Sequence, residues 1–310
     1  MDGAVIVNKE KGYTSFDVVA RSRGIFGTRK IGHTGTLDPQ AEGVLVLCLG
    51  KATSAVEMLA DHDKEYEAVM LLGRTTDTED VWGQTTAERE VRVTEDEVRA
   101  ACARFTGEIL QTPPAYSALK VNGKRSYDLA REGKAVKLEP RKITVHELEI
   151  LRIDLPEVTF RVRCSKGSYI RSLCRDIGEA LGCGACMSGL LRTRVGGFGI
   201  AEARTLGELQ SLKDAGRLAE AVIRPEDLFP ELPERTVTAE AEKLLANGNK
   251  LPAETLTSVL PTSARTAAGP ERSGPLPDGQ LVRVYAPDGT FRALYRYEEN
   301  ARVFRAAKMF

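Results

Sequence analysis

Residues 158–181 change their hydrophobic period across one short turn, and this change constrains the fold more than any other feature of the sequence. Along residues 158–164, apolar side chains alternate with threonine and arginine, which predicts a strand with one buried face. From Ile170 to Leu181 the apolar residues fall at helical spacing, which predicts an amphipathic helix and leaves Arg171 and Arg175 together on another side. A mixed class of fold is predicted, in which the intervening turn joins a basic strand face to a basic helix face.

The first helix is predicted from its capping residues. Thr14 or Ser15 is expected to cap a helix that carries Phe16, Val19 and Ala20 on one side.

Short apolar segments bounded by turn residues predict strands elsewhere. Residues 30–43, which are rich in glycine and proline, are expected to form a long exposed loop before a buried strand at residues 44–49. The dipeptide Asn122-Gly123 predicts a tight hairpin turn. The other predicted elements are strands at residues 4–8, 65–73, 281–285, 291–297 and 302–306 and a helix at residues 94–105.

Composition changes near residues 225–233, where two steps rich in acidic residues and proline predict a linker. We therefore expect a large domain at residues 1–230 and a small β-rich domain at residues 231–310. A segment at about residues 252–278 is rich in Pro, Ser, Thr, Ala and Gly, and predicts a flexible insertion in the small domain.

The formal net charge of +0 argues at first against a nucleic-acid-binding protein, because RNA phosphates are neutralised by Lys and Arg. The distribution of charge is less even. Residues 116–146 hold eight basic and three acidic residues, and residues 161–175 hold five basic residues and no acid. Acidic residues concentrate at residues 77–97 and 202–240. This distribution predicts a basic face opposite an acidic one, with separate solvated surfaces as the alternative.

Several classes of protein and site are not expected. The N-terminus lacks an export signal and no apolar run is long enough to span a bilayer, so a cytoplasmic protein with reduced cysteines and no membrane partner is predicted. Cys183 and Cys186 form one CxxC, but the histidines are scattered, so buried thiols at a helix end are favoured over a zinc site. Asp77 and Asp80 lack a third ligand nearby, so no metal is expected there.

The segment Gly-His-Thr-Gly-Thr-Leu-Asp-Pro at residues 32–39 presents one carboxylate, Asp38, with Pro39 behind it. Three interpretations compete on the residues alone: a catalytic carboxylate, an Asp-Pro turn without chemistry, and a cradle for phosphate. The interpretation as a phosphate-binding loop has little support, because neither GxxxxGK[ST] nor a GxGxxG between strand and helix is present. The residues by themselves leave the choice between the other two open.

The segment GHTGTLDPQAEGVLVLCLGKAT resembles the catalytic-aspartate motif of the TruB-type tRNA pseudouridine-55 synthases. Four further blocks of that family follow in order along the chain: KEY at residues 64–66, GRTTDT at residues 73–78, YSALK with NGK at residues 116–124, and CSKGSYIR at residues 164–171. The resemblance extends over residues 5–192 and fades beyond about residue 224.

The resemblance implies an α+β protein with the pseudouridine synthase fold, in which helices flank a mixed, largely antiparallel sheet. It also implies a small, β-rich, PUA-like RNA-binding domain at the C-terminus. By the same resemblance Asp38 is the catalytic aspartate, Arg171 is its ion-pair partner, and Tyr66 lies against the target base. The other substrate-binding residues that it implies are Tyr169 and Leu191 in the pocket and His33, which helps to reshape the T-loop.

The chemistry of this family suits these residue types. Conversion of uridine to pseudouridine breaks the N1–C1′ bond and forms a C5–C1′ bond without a change of oxidation state, so no cofactor and no metal are expected. A carboxylate can attack the ribose or remove a sugar proton, and both possibilities stay open. Arg171 favours the charged form of Asp38, and the Tyr66 ring can replace the stacking that the base loses when it flips out.

The expected partner is therefore the T-arm of a tRNA, without an obligate protein partner. A non-catalytic RNA-binding or tRNA-folding protein on the same scaffold is the alternative from another class. A nucleotidase or kinase would need Mg²⁺ ligands and a phosphate loop, which the sequence lacks.

Overall fold

A computed structural model of the protein describes residues 1–117, 119–121, 123–132, 138–257 and 276–310. The α-helices in these ranges are α1 (Ser15–Phe26), α2 (Val56–Ala60), α3 (Glu95–Ala103), α4 (Ser126–Arg131), α5 (Ile170–Ala180), α6 (Leu206–Asp214) and α7 (Glu242–Ala246). The strands are β1 (Gly3–Lys9), β2 (Ile31–His33), β3 (Glu42–Leu49), β4 (Lys64–Leu72), β5 (Arg74–Thr76), β6 (Thr85–Glu88), β7 (Gly107–Gln111), β8 (Lys120–Val121), β9 (Lys124–Arg125), β10 (Arg141–Asp154), β11 (Glu157–Cys164), β12 (Ala185–Val195), β13 (Phe198–Gly199), β14 (Glu234–Val237), β15 (Leu251–Pro252), β16 (Leu256–Thr257), β17 (Leu281–Tyr285), β18 (Phe291–Glu298) and β19 (Val303–Met309). Within the described ranges, no helix is both long enough and apolar enough to cross a membrane.

A nine-stranded sheet dominates the first part of the chain. Its main path runs β1-β3-β12-β4-β11-β10-β7, with β2 beside β3 and β13 beside β12. Strands β12 and β3 pair in parallel, and the other neighbours pair antiparallel. The mixed, largely antiparallel sheet that the sequence predicts is therefore confirmed.

The strand and the helix predicted from the change of period at residues 158–181 are both present, as β11 and α5. Strand β11 buries Phe160 and Val162 on one face, and α5 buries Leu173 and Ile177 in the same apolar cluster. Helix α3 contributes Val98 to this cluster, so helices cover one face of the sheet. Because α5 begins directly after the turn that follows β11, its first residues lie at the edge of this core.

Helix α1 begins where the sequence predicts but buries a different side. Thr14 is its N-cap and accepts a hydrogen bond from the backbone N–H of Asp17. Val19 is buried as predicted, but Phe16 is 63% exposed and Ala20 is also exposed, so the prediction is wrong for these two residues. A different set of residues, also at helical spacing, extends along the whole helix and packs against the sheet. Its buried members are Ser15, Val18, Val19, Ser22, Ile25 and Phe26.

The loop predicted at residues 30–43 contains a short strand. Strand β2 pairs with the C-terminal end of β3, with Ile31 opposite Leu49 and His33 opposite Leu47. Strand β12 pairs only with the first two residues of β3, so the C-terminal end of that edge is open to β2. The predicted hairpin turn is confirmed by the pairing of β8 with β9, although Asn122 itself lies outside the described residues.

A six-stranded sheet follows, in the order β15-β19-β18-β17-β14-β16, and its strands β17, β18 and β19 confirm the three predicted near the C-terminus. Leu294 of this sheet lies in one apolar cluster with Ala4 and Val44 of the first sheet. The domain boundary near residue 230 stays a prediction. Of the predicted insertion, residues 258–275 lie outside the described residues.

Candidate active site

Asp38 and Arg171 form an ion pair between the loop after β2 and the first turn of α5. Arg171 Nε lies 3.0 Å from Asp38 Oδ2, and Arg171 Nη2 donates to Asp38 Oδ1 at 3.4 Å. The Arg171 side chain is 7% exposed, whereas that of Asp38 is 39% exposed. A buried guanidinium therefore orients a carboxylate that a substrate can still reach.

Arg171 is held on its other edge by the backbone and by a second carboxylate. Its Nη1 donates to the carbonyl of Thr78 at 2.8 Å and lies 3.8 Å from Asp80 Oδ2, while Nη2 also donates to the carbonyl of Tyr116 at 2.9 Å. Four groups from three segments fix the planar guanidinium, which a lysine ammonium could not reproduce.

The turn that carries Thr78 and Asp80 is itself anchored to α5. Between them, Glu79 accepts a hydrogen bond from Ser172 Oγ at 2.7 Å and forms an ion pair with Arg175. Glu79 has a positive φ of 64°, a conformation that non-glycine residues seldom adopt. These contacts hold the turn against the helix that supplies Arg171.

The loop that carries Asp38 is held by Lys9, at the end of β1. The buried Lys9 ammonium donates to the carbonyls of Ala41 at 2.6 Å and of Pro39 and Glu10 at 3.1 Å each, which uses all three of its protons. Ser15 Oγ adds a second clamp, because it accepts from the N–H of Leu37 at 2.8 Å and donates to its carbonyl at 3.1 Å. The backbone on both sides of Asp38 is thus fixed.

Arg192, on β12, holds the preceding part of the loop. Its side chain is buried and donates to the carbonyls of Gly35 at 3.0 Å, Thr36 at 3.5 Å and Val44 at 2.7 Å. At Gly43, φ is +101° and an added Cβ would lie 2.2 Å from the Arg192 carbonyl oxygen. Only glycine lets β3 approach β12 this closely, and the loop depends on that approach.

Burial gives Lys9 a measurable signature in the pH dependence of stability. It lowers the pKa of Lys9 from 10.5 to about 8, although the Asp38 and Glu42 carboxylates act to raise it. Between these pH values the unfolded state binds more protons than the folded state, so the penalty for burying charged Lys9 is complete below pH 8 and is lost as the pH rises. We expect the difference in unfolding free energy, wild type minus Lys9→Met, to rise by up to about 3 kcal/mol across this range. Denaturant unfolding at several pH values measures it, and a difference independent of pH would contradict the assignment.

Tyr66 lies on β4, where its strand neighbours are Arg192 on β12 and Val162 on β11. Its side chain is buried in the same apolar cluster as Leu37, the residue before Asp38. Burial raises the pKa of Tyr66, and the charge of Arg192 lowers it, with Asp38 also acting on the hydroxyl. The Tyr66 side chain is therefore uncharged and lies beside the loop that carries Asp38.

Tyr169 is the N-cap of α5, two residues before Arg171. Gln111, the last residue of β7, binds its backbone from both sides: the Tyr169 N–H donates to Gln111 Oε1 at 2.8 Å, and Gln111 Nε2 donates to the Tyr169 carbonyl at 3.0 Å. Burial raises the pKa of Tyr169, and the charges of Arg171 and Asp38 act on its hydroxyl. The structure thus brings Tyr169 to the ion pair.

His33 ends β2, at the start of the loop. Burial lowers the pKa of His33, and the charge of Arg192 lowers it further, so the ring is neutral at neutral pH and can both donate and accept a hydrogen bond. His33 and Asp38 lie at opposite ends of the segment that Arg192 holds.

Leu191 is not brought to this group. It pairs with Glu67, whose carboxylate binds Arg161 on the other face of the sheet. Leu190, one residue earlier, pairs with Ala68 and packs against the cluster that contains Tyr66. Because side chains alternate along a strand, Leu190 lies on the same face of the sheet as Tyr66, and Leu191 lies on the other face.

The basic run at residues 161–175 is not a surface of unpaired cations. Each of its five cations has a carboxylate oxygen within 4 Å, supplied mainly by neighbouring elements. The pairs are Arg161 with Glu67 and Glu149, Arg163 with Asp63, Lys166 with Asp61, Arg171 with Asp38, and Arg175 with Glu79 and Asp176. In the other basic run, Lys134 and Lys137 lie outside the described residues.

Sequence reasoning missed the residues that hold the site together: Lys9, Ser15, Asp80, Gln111 and Arg192. For one of them a signal exists, because Lys9 is the single charge of the apolar strand β1, and a charge that is buried there needs several acceptors. Ser15 and Gln111 carry no such signal. Their roles follow from which loop the fold brings beside them.

No group of three metal-ligating side chains lies together in the part of the chain that the structure describes. Cys183 and Cys186 are buried just after α5, as predicted for small apolar residues at the end of a helix. The functional groups at the site are one reachable carboxylate, its arginine partner, two tyrosines and a neutral histidine. Such a set can act on a sugar or a base through nucleophilic or proton-transfer chemistry.

Residues 23–170 match the family described as TruB family pseudouridylate synthase, N-terminal domain, and residues 171–229 match the tRNA pseudouridylate synthase B C-terminal domain. A protein of Lachnoclostridium phytofermentans named tRNA pseudouridine synthase B is 43% identical over 100% of both chains, and one of Clostridium acetobutylicum is 44% identical over 97% of each.

Solved structures share the architecture. A chain of an H/ACA RNP bound to a substrate RNA containing 2′-deoxyuridine aligns with a TM-score of 0.72 and 28% identity, over 99% of this chain and 84% of that one. A chain of a Cbf5-Nop10-Gar1 complex aligns with the same TM-score and coverage and 29% identity. The α+β fold predicted from the sequence is therefore confirmed.

Proposed function

The chain belongs to the TruB family of pseudouridylate synthases, and on that basis we propose that it isomerises uridine to pseudouridine at position 55 in the T-loop of tRNA. The enzyme is an intramolecular transferase that acts without a cofactor. Its proposed site of action is the cytoplasm, with the T-arm of tRNA as its substrate and no obligate protein partner.

The observation that carries the proposal is the ion pair of Asp38 with Arg171. A reachable carboxylate that a buried guanidinium orients is suited to act at C1′ or C2′ of a ribose. The clamps by Lys9 and Arg192 support this role, since two buried cations hold the loop in one conformation. Attack on the sugar and removal of a sugar proton are the two alternative roles of Asp38 that are compatible with this proposal.

The remaining residues are proposed to bind the substrate. Tyr66 stacks on the extruded uracil and so replaces part of the stacking lost from the RNA. Tyr169 and Leu190 line the pocket, and His33 contacts the T-loop that must unfold to release the base. The β-rich region at residues 231–310 is proposed to add RNA-binding surface as a second domain.

The alternative, an RNA-binding protein without catalysis on the same scaffold, does not account for a buried arginine that binds a reachable carboxylate. An RNA-binding role needs no such pair, because a carboxylate repels phosphate.

Incubation of the purified protein with an unmodified tRNA transcript tests the proposal, followed by chemical mapping of pseudouridine. A single modified position in the T-loop is expected, in the presence or absence of a chelator. Tight binding without any pseudouridine would leave the RNA-binding alternative in its place.

A further inference from the structure

A groove lies where the first sheet meets the last strand of the second sheet. It has a volume of about 550 Å³ and is lined by the residues before and within β2, by the 3-10 helix Gly50–Ala55, by the start of α2 and by Lys308 of β19. Beside the groove the two sheets are joined by a hydrogen bond, in which Ser54 Oγ donates to the Met309 carbonyl at 3.1 Å. The groove is therefore formed by both sheets together.

The charges around this groove are mainly positive. Arg29, Lys30 and Lys308 line it, and Glu57 is the acidic residue among its described lining. Lys308 Nζ lies 3.0 Å from Glu57 Oε2, but the Glu57 side chain is 85% exposed. Such a surface pair is weak and can be exchanged for another anion.

Arg29 and Lys30 differ from the cations of the run at residues 161–175. Both are exposed, and no acidic side chain of the described residues forms an ion pair with either of them. Their positive charge is thus available to a ligand without displacement of a carboxylate, whereas Arg161 and Arg175 are each paired with acidic side chains.

The groove is continuous with the active site along the chain. Lys30 precedes His33 by three residues, about 10 Å along an extended strand. The same strand then enters the loop that Arg192 holds and that presents Asp38. A long polyanion bound at Asp38 and His33 can therefore pass the groove, whereas a small anion in it would have no connection to the site.

We propose that this groove binds backbone phosphate of the substrate RNA, outside the nucleotide that reacts. The inference rests on the proposed function, since it takes the ligand at Asp38 to be RNA. Arg29 and Lys30 supply the charge, Lys308 adds a third cation from the second sheet, and Glu57 opposes binding. Residues of both sheets then bind one RNA molecule, and this local positive charge is present although the formal net charge of the protein is +0.

Binding of an unmodified tRNA transcript, measured by fluorescence anisotropy at several salt concentrations, tests the groove. The double variant Arg29→Gln/Lys30→Gln should bind several-fold more weakly, and its slope of log affinity against log salt should be shallower by about one to two. Glu57→Gln should act in the opposite direction, with tighter binding and a steeper slope. A damaged fold cannot produce that gain.

The matched control is Arg104→Gln, which removes an exposed positive charge at the end of α3 and should leave binding unchanged. Wild-type affinity in the double variant overturns the proposal. So does an equal loss in Arg104→Gln, which would show a general charge effect, or weaker binding in Glu57→Gln. Pseudouridine formation by the wild-type protein separates the two inferences: inactive wild type contradicts the proposed function, whereas active wild type with an unaffected double variant contradicts the groove alone.

Discussion

Asp38→Asn protein is expected to lose pseudouridine formation by at least about three orders of magnitude, because asparagine keeps the shape of the side chain but removes both the charge and the nucleophile or base. The structure leaves no substitute at the site. Asp80 lies on the Nη1 edge of Arg171, away from the Nε and Nη2 atoms that bind Asp38, and its side chain is 13% exposed. His33 and Thr36 are weak nucleophiles without an evident activating base.

RNA binding by Asp38→Asn protein should persist or become tighter, since the change removes a negative charge near the polyanion and leaves Arg171 without its partner. Single-turnover assays with enzyme in excess measure the chemical step, and anisotropy measures binding. Asp61→Asn is the matched control, because Asp61 is also a carboxylate in an ion pair, with Lys166 at 2.7 Å, but is exposed. Turnover above roughly a tenth of the wild-type rate in Asp38→Asn would exclude direct participation. Loss of both binding and turnover would make Asp38 a structural residue of the loop.

The elements nearest the site follow from local patterns in the sequence. Strand β11 and helix α5 were predictable because a change of period from two to helical spacing is local, and Thr14 was predictable as a cap because its partner Asp17 is three residues away. The pairing of Asp38 with Arg171, 133 residues apart, came from resemblance to a family, since no pattern in either segment points to the other.

Registers between strands could not be predicted, and the surroundings of Arg161 and of the two leucines at residues 190–191 depend on them. The sequence around Arg161 contains no acidic partner, but the pairing of β11 with β4 and β10 places Glu67 and Glu149 beside it. Leu190 and Leu191 exchange faces with a shift of one residue, and β12 has irregular register at two places along its pairing with β4. The roles of Lys9 and Arg192 likewise depend on which backbone carbonyls the topology brings to them.

Arg171→Met protein is expected to form pseudouridine about 100-fold more slowly in single turnover, because Asp38 loses both its countercharge and the group that orients it. Methionine keeps much of the length and packing of the side chain. It leaves the carbonyls of Thr78 and Tyr116 without this donor and Asp80 without its positive neighbour, so the free energy of unfolding should also fall, by about 3 kcal/mol.

Rates for Arg171→Met therefore have to be compared well below its unfolding temperature, with near-ultraviolet circular dichroism to show that the tertiary structure is intact. Arg161→Met is the matched control, because Arg161 also bridges two carboxylates but on the other face of the sheet, and its rate should stay within about twofold of wild type. Arg171→Lys should fall between wild type and Arg171→Met, since an ammonium restores the charge but cannot reach Asp38, Thr78 and Tyr116 together. A folded Arg171→Met protein that reacts at the wild-type rate would remove Arg171 from the chemistry and reduce its role to holding α5 against the turn at Thr78.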